Sequence, residues 1–226
     1  MADRFNVHAV DLRESGKSGM GEKLYDLNDM AEDVSYFMTI HRLKNVHLVG
    51  ASMGGAVSQL VAINEGENVK SLSLLMTTSE RGIWGKALPS STSEQLNCIK
   101  REYDYYINGD IVSGLRTRFE FCGMDKNEVD RTIKKTVRHG FNPICGHVHA
   151  FETSPARTRL LSKIVCPTLI LHGDSDPLLS VEHAHLMHEN IEGSKLEILE
   201  KMTHCILEKD SDIWANKIKN HIIDTI

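Results

Sequence analysis

A chain of 226 residues with 41 % hydrophobic and 25 % charged residues is long enough to bury one sizeable core and carry an insertion. A formal net charge of −5 offers no basic surface for nucleic acid, and no apolar run approaches a membrane span. Its five cysteines, Cys98, Cys122, Cys145, Cys166 and Cys205, are odd in number and lack C-x-x-C spacing. That pattern argues against a disulfide framework and a zinc site, and leaves reduced, mostly buried thiols.

The first residues carry no basic-then-apolar leader, so a cytoplasmic protein is expected. Residues 5–10 (Phe5 to Val10) read as a strand that runs into the loop Asp11-Leu12-Arg13-Glu14-Ser15-Gly16-Lys17-Ser18. Asp26 caps a helix to about residue 43, with Leu27, Met30, Ala31, Val34 and Phe37 or Met38 on one stripe. A strand over His47 to Gly50 and a helix from Met53 to about Asn64 flank Ser52, and residues 69–76 form the next strand.

From residue 77 to about 155 no strand pattern appears. Helices are expected over residues 93–108, 111–121 and 127–139, separated by Gly109, Gly123 and Gly140. Alternation then resumes. A buried strand ends at His172-Gly173, before Asp174-Ser175-Asp176-Pro177 and a helix over residues 179–190. A short strand, residues 195–200, leads to Lys201-Met202-Thr203-His204, and a last helix covers about 207–224. Alternating strands and helices imply an α/β protein with a mostly parallel sheet and helices on both faces.

The run Gly50-Ala51-Ser52-Met53-Gly54 is G-x-S-x-G between a strand and a helix. In that context it forms a sharp turn that lifts one hydroxyl above the sheet. Such a turn holds the serine at positive φ, and glycines without Cβ relieve the crowding. It also aims a helix N-terminus at the reacting centre, where N–H groups and dipole favour a developing oxyanion. The competing reading is a tight turn with no chemistry. Downstream, Asp176 and His204 each stand just past a strand, where open α/β sheets place their sites. Their plain alternatives are a helix cap and a hydrogen-bonded loop histidine.

Ser…Asp…His is the chain order of α/β-hydrolases. The chain resembles that superfamily, in particular its small single-domain esterase-like and proline-iminopeptidase-like members. The resemblance rests on the elbow, on the order of the three residues, and on Asp11 to Ser18, similar to a D-x-R-G-x-G-x-S loop. Glu14 stands where that loop has glycine, and Lys201 where glycine is common before the histidine. An H-G-x-x-D ending matched by His172 to Asp176 implies Asp176 as the acid, with Asp174 as the alternative.

The resemblance implies a serine hydrolase cleaving a carboxylic ester or related acyl bond of a small or medium substrate. Ser52 would be the nucleophile, His204 the base, Asp176 its orienting acid and the Met53 N–H an oxyanion donor. It implies no cofactor or metal. It also implies a helical cap at residues 79–155, between core segments 1–78 and 156–226. A serine at the elbow argues against epoxide hydrolysis and dehalogenation, which use a carboxylate there.

Relatives carry three further strands and a helix before the Asp11 segment, and their third strand ends in an H-G loop supplying the second oxyanion N–H. Here four residues precede the Phe5 strand. Either the chain is a shortened form, or that strand has moved inward beside the Ser52 strand. With one donor encoded, slow turnover or weak stability is expected, since losing a donor lowers kcat by about 10²–10³. The alternative function is a non-catalytic or degenerate member that keeps a binding site.

Other histidines are weaker candidates. His183, His185 and His188 share a helix, where a metal would want carboxylate or further imidazole partners and a polar helix face is the plainer reading. His147 and His149 sit beneath the expected cap, where a substrate contact is one reading and a satisfied histidine the other. Trp84, Tyr103, Tyr105, Tyr106, Phe119 and Phe121 are expected to pack the cap.

Overall fold

In a computed structural model, residues 4–19, 24–80, 93–138 and 146–226 are described. Four strands, β1 (Val46–Ala51), β2 (Val69–Leu75), β3 (Thr168–Gly173) and β4 (Lys195–Leu199), form one sheet in sequential order. Every pairing is parallel. All four carboxyl ends therefore point the same way, and the loops after β1, β3 and β4 converge there.

Strand alternation divides the interior into two cores. Ile170 faces one, while its neighbours Leu169 and Leu171 face the other. The first core takes its side chains from α1 (Leu27–Ile40), α2 (Met53–Glu65) and α7 (Glu182–Asn190). The second is closed by Trp214, Ile218 and Ile222 of α8 (Ser211–Ile223), with Phe5 against it. Helices thus cover both faces, and β2 and β3 read as near-continuous buried strands.

The expected cap on α1 is present as a reciprocal box. The Asp26 side chain accepts from the Asn28 and Asp29 N–H groups, and the Asp29 carboxylate accepts from the Asp26 N–H at 2.8 Å. Arg13 hooks the preceding loop onto this helix through both Asp33 oxygens, at 2.6 and 2.8 Å.

Residues 5–10 are not a strand, which corrects the expectation from their apolar pattern. A strand persists only through a hydrogen-bonded neighbour. None lies on the outer side of β1 among the described residues, so the inward shift is not seen either. Val7 is 62 % exposed, and Val49 on the free side of β1 is 46 % exposed. Phe5 instead lies edge-on to the His47 ring, with centroids 6.0 Å apart.

Between β2 and β3 the described residues are helical: α3 (Ser93–Ile107), α4 (Ile111–Phe121), α5 (Lys126–Arg138) and α6 (Gly146–Thr153). The last was not anticipated. Gly109 and Gly123 end α3 and α4 at φ +77° and +78°, a conformation open to glycine. Gly140, Cys145 and Trp84 lie outside the described residues. Leu115, Val129 and Ile133 give α4 and α5 a small core of their own. Three bounds differ from expectation: α1 ends at Ile40 and not at about residue 43, α7 starts at Glu182 because residues 177–181 are bent and turned, and a 3₁₀ turn (Glu208–Asp210) precedes α8. Among the described residues no helix is long and apolar enough to cross a membrane.

Candidate active site

Ser52 lies between β1 and α2 at φ +52°, ψ −122°, outside the regions a side chain ordinarily adopts. Its surroundings hold it there. The Ser52 N–H donates to Leu75 O at 2.9 Å, and the Thr77 hydroxyl donates to Ser52 O at 2.6 Å. A Cβ at Gly50 would collide with the Gly54 carbonyl and the Ser58 hydroxyl, and one at Gly55 would meet Thr77 Cβ at 2.6 Å. At Gly54 no atom of the described residues lies within 4 Å of such a Cβ, so they do not require that motif glycine. Met53 opens α2, and N–H groups in a first turn have no acceptor within their own helix.

The other two residues come from the ends of β3 and β4. Asp176 is 8 % exposed, and its Oδ1 accepts from the Leu178 and Leu179 N–H groups at 2.8 and 2.9 Å. Its Oδ2 lies 2.8 Å from His204 Nδ1, and His204 Nε2 lies 2.9 Å from Ser52 Oγ. An ionised carboxylate only accepts, so Nδ1 carries the proton and Nε2 is left to accept from the serine hydroxyl. Burial pushes the Asp176 carboxyl up, but the attraction and hydrogen bond of the His204 ring, with the Leu179 N–H, outweigh it, and the group lies below the usual carboxylate range.

Asp174, the alternative acid, is exposed and engaged elsewhere. Its carboxylate accepts from the Lys201 N–H at 2.7 Å and the Ser175 hydroxyl at 2.9 Å. Lys201 stands at φ +60°, keeping the backbone of the glycine common at that position. Beside it, Gly173 touches the Met202 carbonyl, where any Cβ would collide. This close approach seats the His204 loop on the end of β3.

A second imidazole that sequence reading missed lies beneath the carboxylate. His172 is fully buried, donates from Nε2 to Leu179 O at 2.9 Å and lies 3.4 Å from Asp176 Oδ2. Burial pushes it below its ordinary value, so it stays neutral. Its place just before the glycine that ends a buried strand was the available signal.

The inserted helices meet the site through Ile99 of α3 and Cys122 after α4, which pack on Leu178 and Cys205. These two residues flank Asp176 and His204 in sequence. Tyr106 is buried and donates to Glu102 at 2.7 Å, Phe119 packs with Leu115, Val129 and Ile133, Phe121 packs against the cluster that holds Leu178, and Tyr103 and Tyr105 are exposed. His147 bonds Arg13 O at 2.6 Å. His183 bonds the Thr78 hydroxyl at 2.8 Å, and His188 the Ser194 hydroxyl at 2.8 Å. Among the described residues no group of three His, Cys, Asp or Glu could hold a metal ion. A cavity of about 510 Å³ opens at the opposite, amino end of the sheet, lined by Val69, Thr168, Lys195 and His221.

A family model for the α/β-hydrolase fold matches residues 1–211. The chain belongs to that family. Its curated relatives include a 3-oxoadipate enol-lactonase of Acinetobacter baylyi, 24 % identical over 206 residues that cover 88 % of this chain and 72 % of that one. Another is a pimeloyl-[acyl-carrier protein] methyl ester esterase of Neisseria meningitidis, 24 % identical over 92 % of this chain and 80 % of the relative. Among solved structures, an esterase from Exiguobacterium antarcticum superposes with a TM-score of 0.74 at 25 % identity, covering 93 % of this chain and 79 % of that one.

Proposed function

We propose that this α/β-hydrolase cleaves a carboxylic ester or related acyl bond of a small or medium substrate through Ser52, His204 and Asp176. The observation that carries the reading is the unbroken chain of contacts, 2.8 Å from Asp176 to His204 and 2.9 Å from His204 to Ser52. Esterase and lactonase relatives support acyl-bond hydrolysis as the reaction class.

In this mechanism His204 Nε2 takes the Ser52 proton as Oγ attacks the acyl carbon. Asp176 holds the Nδ1–H tautomer and stabilises the imidazolium. The tetrahedral oxyanion forms beside the Met53 N–H, at the positive end of α2. His204 then protonates the leaving group, and water repeats the cycle on the acyl-enzyme. The helices of residues 79–155 serve as the cap that shapes the substrate site, carried between core segments 1–78 and 156–226.

The second reading, a fold that binds without turnover, draws on the outer side of β1, where no strand pairs among the described residues and where the family resemblance implies a further strand with an oxyanion donor. A fluorophosphonate probe separates the two. Labelling of Ser52 that is abolished in Ser52→Ala supports the hydrolase, and an unreactive Ser52 in the folded protein overturns it. A panel of p-nitrophenyl esters then ranks acyl chain lengths.

A further inference from the structure

Two thiols meet beside the site, and the mechanism uses neither. Cys122 caps the C-terminal end of α4, its N–H donating to Arg118 O at 3.0 Å, and it is 1 % exposed. Cys205 directly follows His204 and is partly exposed. The two side chains pack in one small apolar cluster with Ile99, Phe121 and Leu178. Cys98 and Cys166 are buried elsewhere, in separate surroundings.

The pair is asymmetric. Cys205 is the partly exposed member, open to a reagent, with the Arg118 charge nearby to favour a thiolate. Cys122 is shut from solvent, inside the cluster that Cys205 packs against. Attack on a disulfide requires a thiolate with access, and resolution requires a second thiol in contact. Cys205 meets the first condition and Cys122 the second.

We propose that Cys205 and Cys122 form a thiol–disulfide exchange site, which a low-molecular-weight disulfide closes into an intrachain bridge between α4 and the residue after His204. The Cys205 thiolate attacks one sulfur of the reagent, breaking its S–S bond and releasing one thiolate, which leaves a mixed disulfide on Cys205. Cys122 loses its proton to that thiolate or to solvent and attacks the Cys205 sulfur. The Cys122–Cys205 bond forms and the second reagent thiolate departs. Two protein thiols are oxidised, and one reagent disulfide is reduced to two thiols.

Closure also reaches the proposed nucleophile. Sulfurs in contact must approach to about 2.05 Å to bond, so the His204 loop or the end of α4 shifts by on the order of an ångström. Misplacement of that size costs up to about 10² in rate. The bridge is independent of the hydrolase reading, whereas the rate effect rests on it.

The test treats the full chain with oxidised glutathione, maps its peptides without reduction, and measures fluorophosphonate labelling before and after dithiothreitol. The expected result is a Cys122–Cys205 linked peptide, with labelling slowed about tenfold or more and restored by the reductant. Cys122→Ser should stop at the Cys205 mixed disulfide, and Cys205→Ser should leave Cys122 unmodified. Cys122→Ala, checked by circular dichroism, replaces the serine variant if that one unfolds. A stable mixed disulfide in the unsubstituted chain, an unmodified Cys205, or a bridge to Cys145 overturns the site. A bridge with unchanged labelling overturns its link to His204. A bridge in a chain that never labels upholds the thiol site and counts against the hydrolase reading alone.

Discussion

Glu14 accepts a hydrogen bond from the Gly146 N–H at 2.7 Å, tying the loop before α1 to the first residue of α6. The same carboxylate accepts from the Tyr25 hydroxyl at 3.0 Å. Glu14 stands at φ +63° where the family loop has glycine, so the chain carries backbone strain at a point where the side chain joins two segments.

Lys201 carries the same strain, at φ +60°, without that use of its side chain. Among the described residues its ammonium pairs only with exposed Glu200, an interaction worth little in water. A left-handed side-chain residue costs about 1–2 kcal/mol, partly offset by the entropy a glycine loses on folding. Lys201→Gly should therefore raise stability by about 0.5–1 kcal/mol. Glu14→Gly should lower it by about 1 kcal/mol, because two bonds to a charged acceptor outweigh the relief. Urea denaturation of both variants checks the opposite signs.

The motif glycines should not be equivalent. Gly50→Ala drives a Cβ into the Gly54 carbonyl and should cost about 3 kcal/mol or displace Ser52. Gly54→Ala meets open space inside a helix, where alanine is favoured by about 1 kcal/mol. Melting temperatures should show the first variant falling and the second unchanged or higher. Equal losses in both would contradict the steric account of Gly50.

Asp176→Asn should lower kcat by about 10⁴, since the amide no longer selects the Nδ1–H tautomer of His204. Asp174→Asn should change kcat by less than about threefold, because an amide oxygen can still accept from the Lys201 N–H. Steady-state rates on a p-nitrophenyl ester, with melting curves of both variants, decide the matter. Comparable losses would return the acid role to Asp174 or to both.

Stability should fall as pH drops below about 6.5. Burial holds His172 and His183 below their ordinary value of 6.5, so the unfolded chain binds more protons in this range. Their contribution is fully present above 6.5 and is lost as pH falls toward their folded values. Asp176, held below 3.8, contributes above that value and is lost only at lower pH, so the histidines act first. Urea midpoints at about pH 7.5 and 5.5 should differ, and His183→Gln should narrow the gap. A flat profile would contradict the burial of neutral imidazoles.

The sequence by itself determined the elements whose signals are local. A strand, a serine between small residues and a helix start define the elbow at Ser52, and Asp26 with Asp29 defines the start of α1, from neighbours a few residues apart. Three helices between β2 and β3, α3 to α5, were legible for the same reason, as stretches without strand pattern broken at Gly109 and Gly123. Chain order after each strand end narrowed the acid to two residues and brought His204 forward.

Only the tertiary structure decided what depends on partners far along the chain. Asp174 and Asp176 look alike in sequence; they separate because the first is taken by the Lys201 N–H from the next loop, while the second faces His204 with two backbone N–H groups fixing its other oxygen. Residues 5–10 have a strand's composition, but a strand exists only where another supplies the ladder, and beside β1 none does among the described residues. The start of α6 shows the reverse. Its short sequence, Gly146 to Thr153, gives little periodicity, and the acceptor for its first N–H is a carboxylate more than a hundred residues earlier. Local pattern sets what a segment can form, and the distant groups that satisfy its backbone set what it does form.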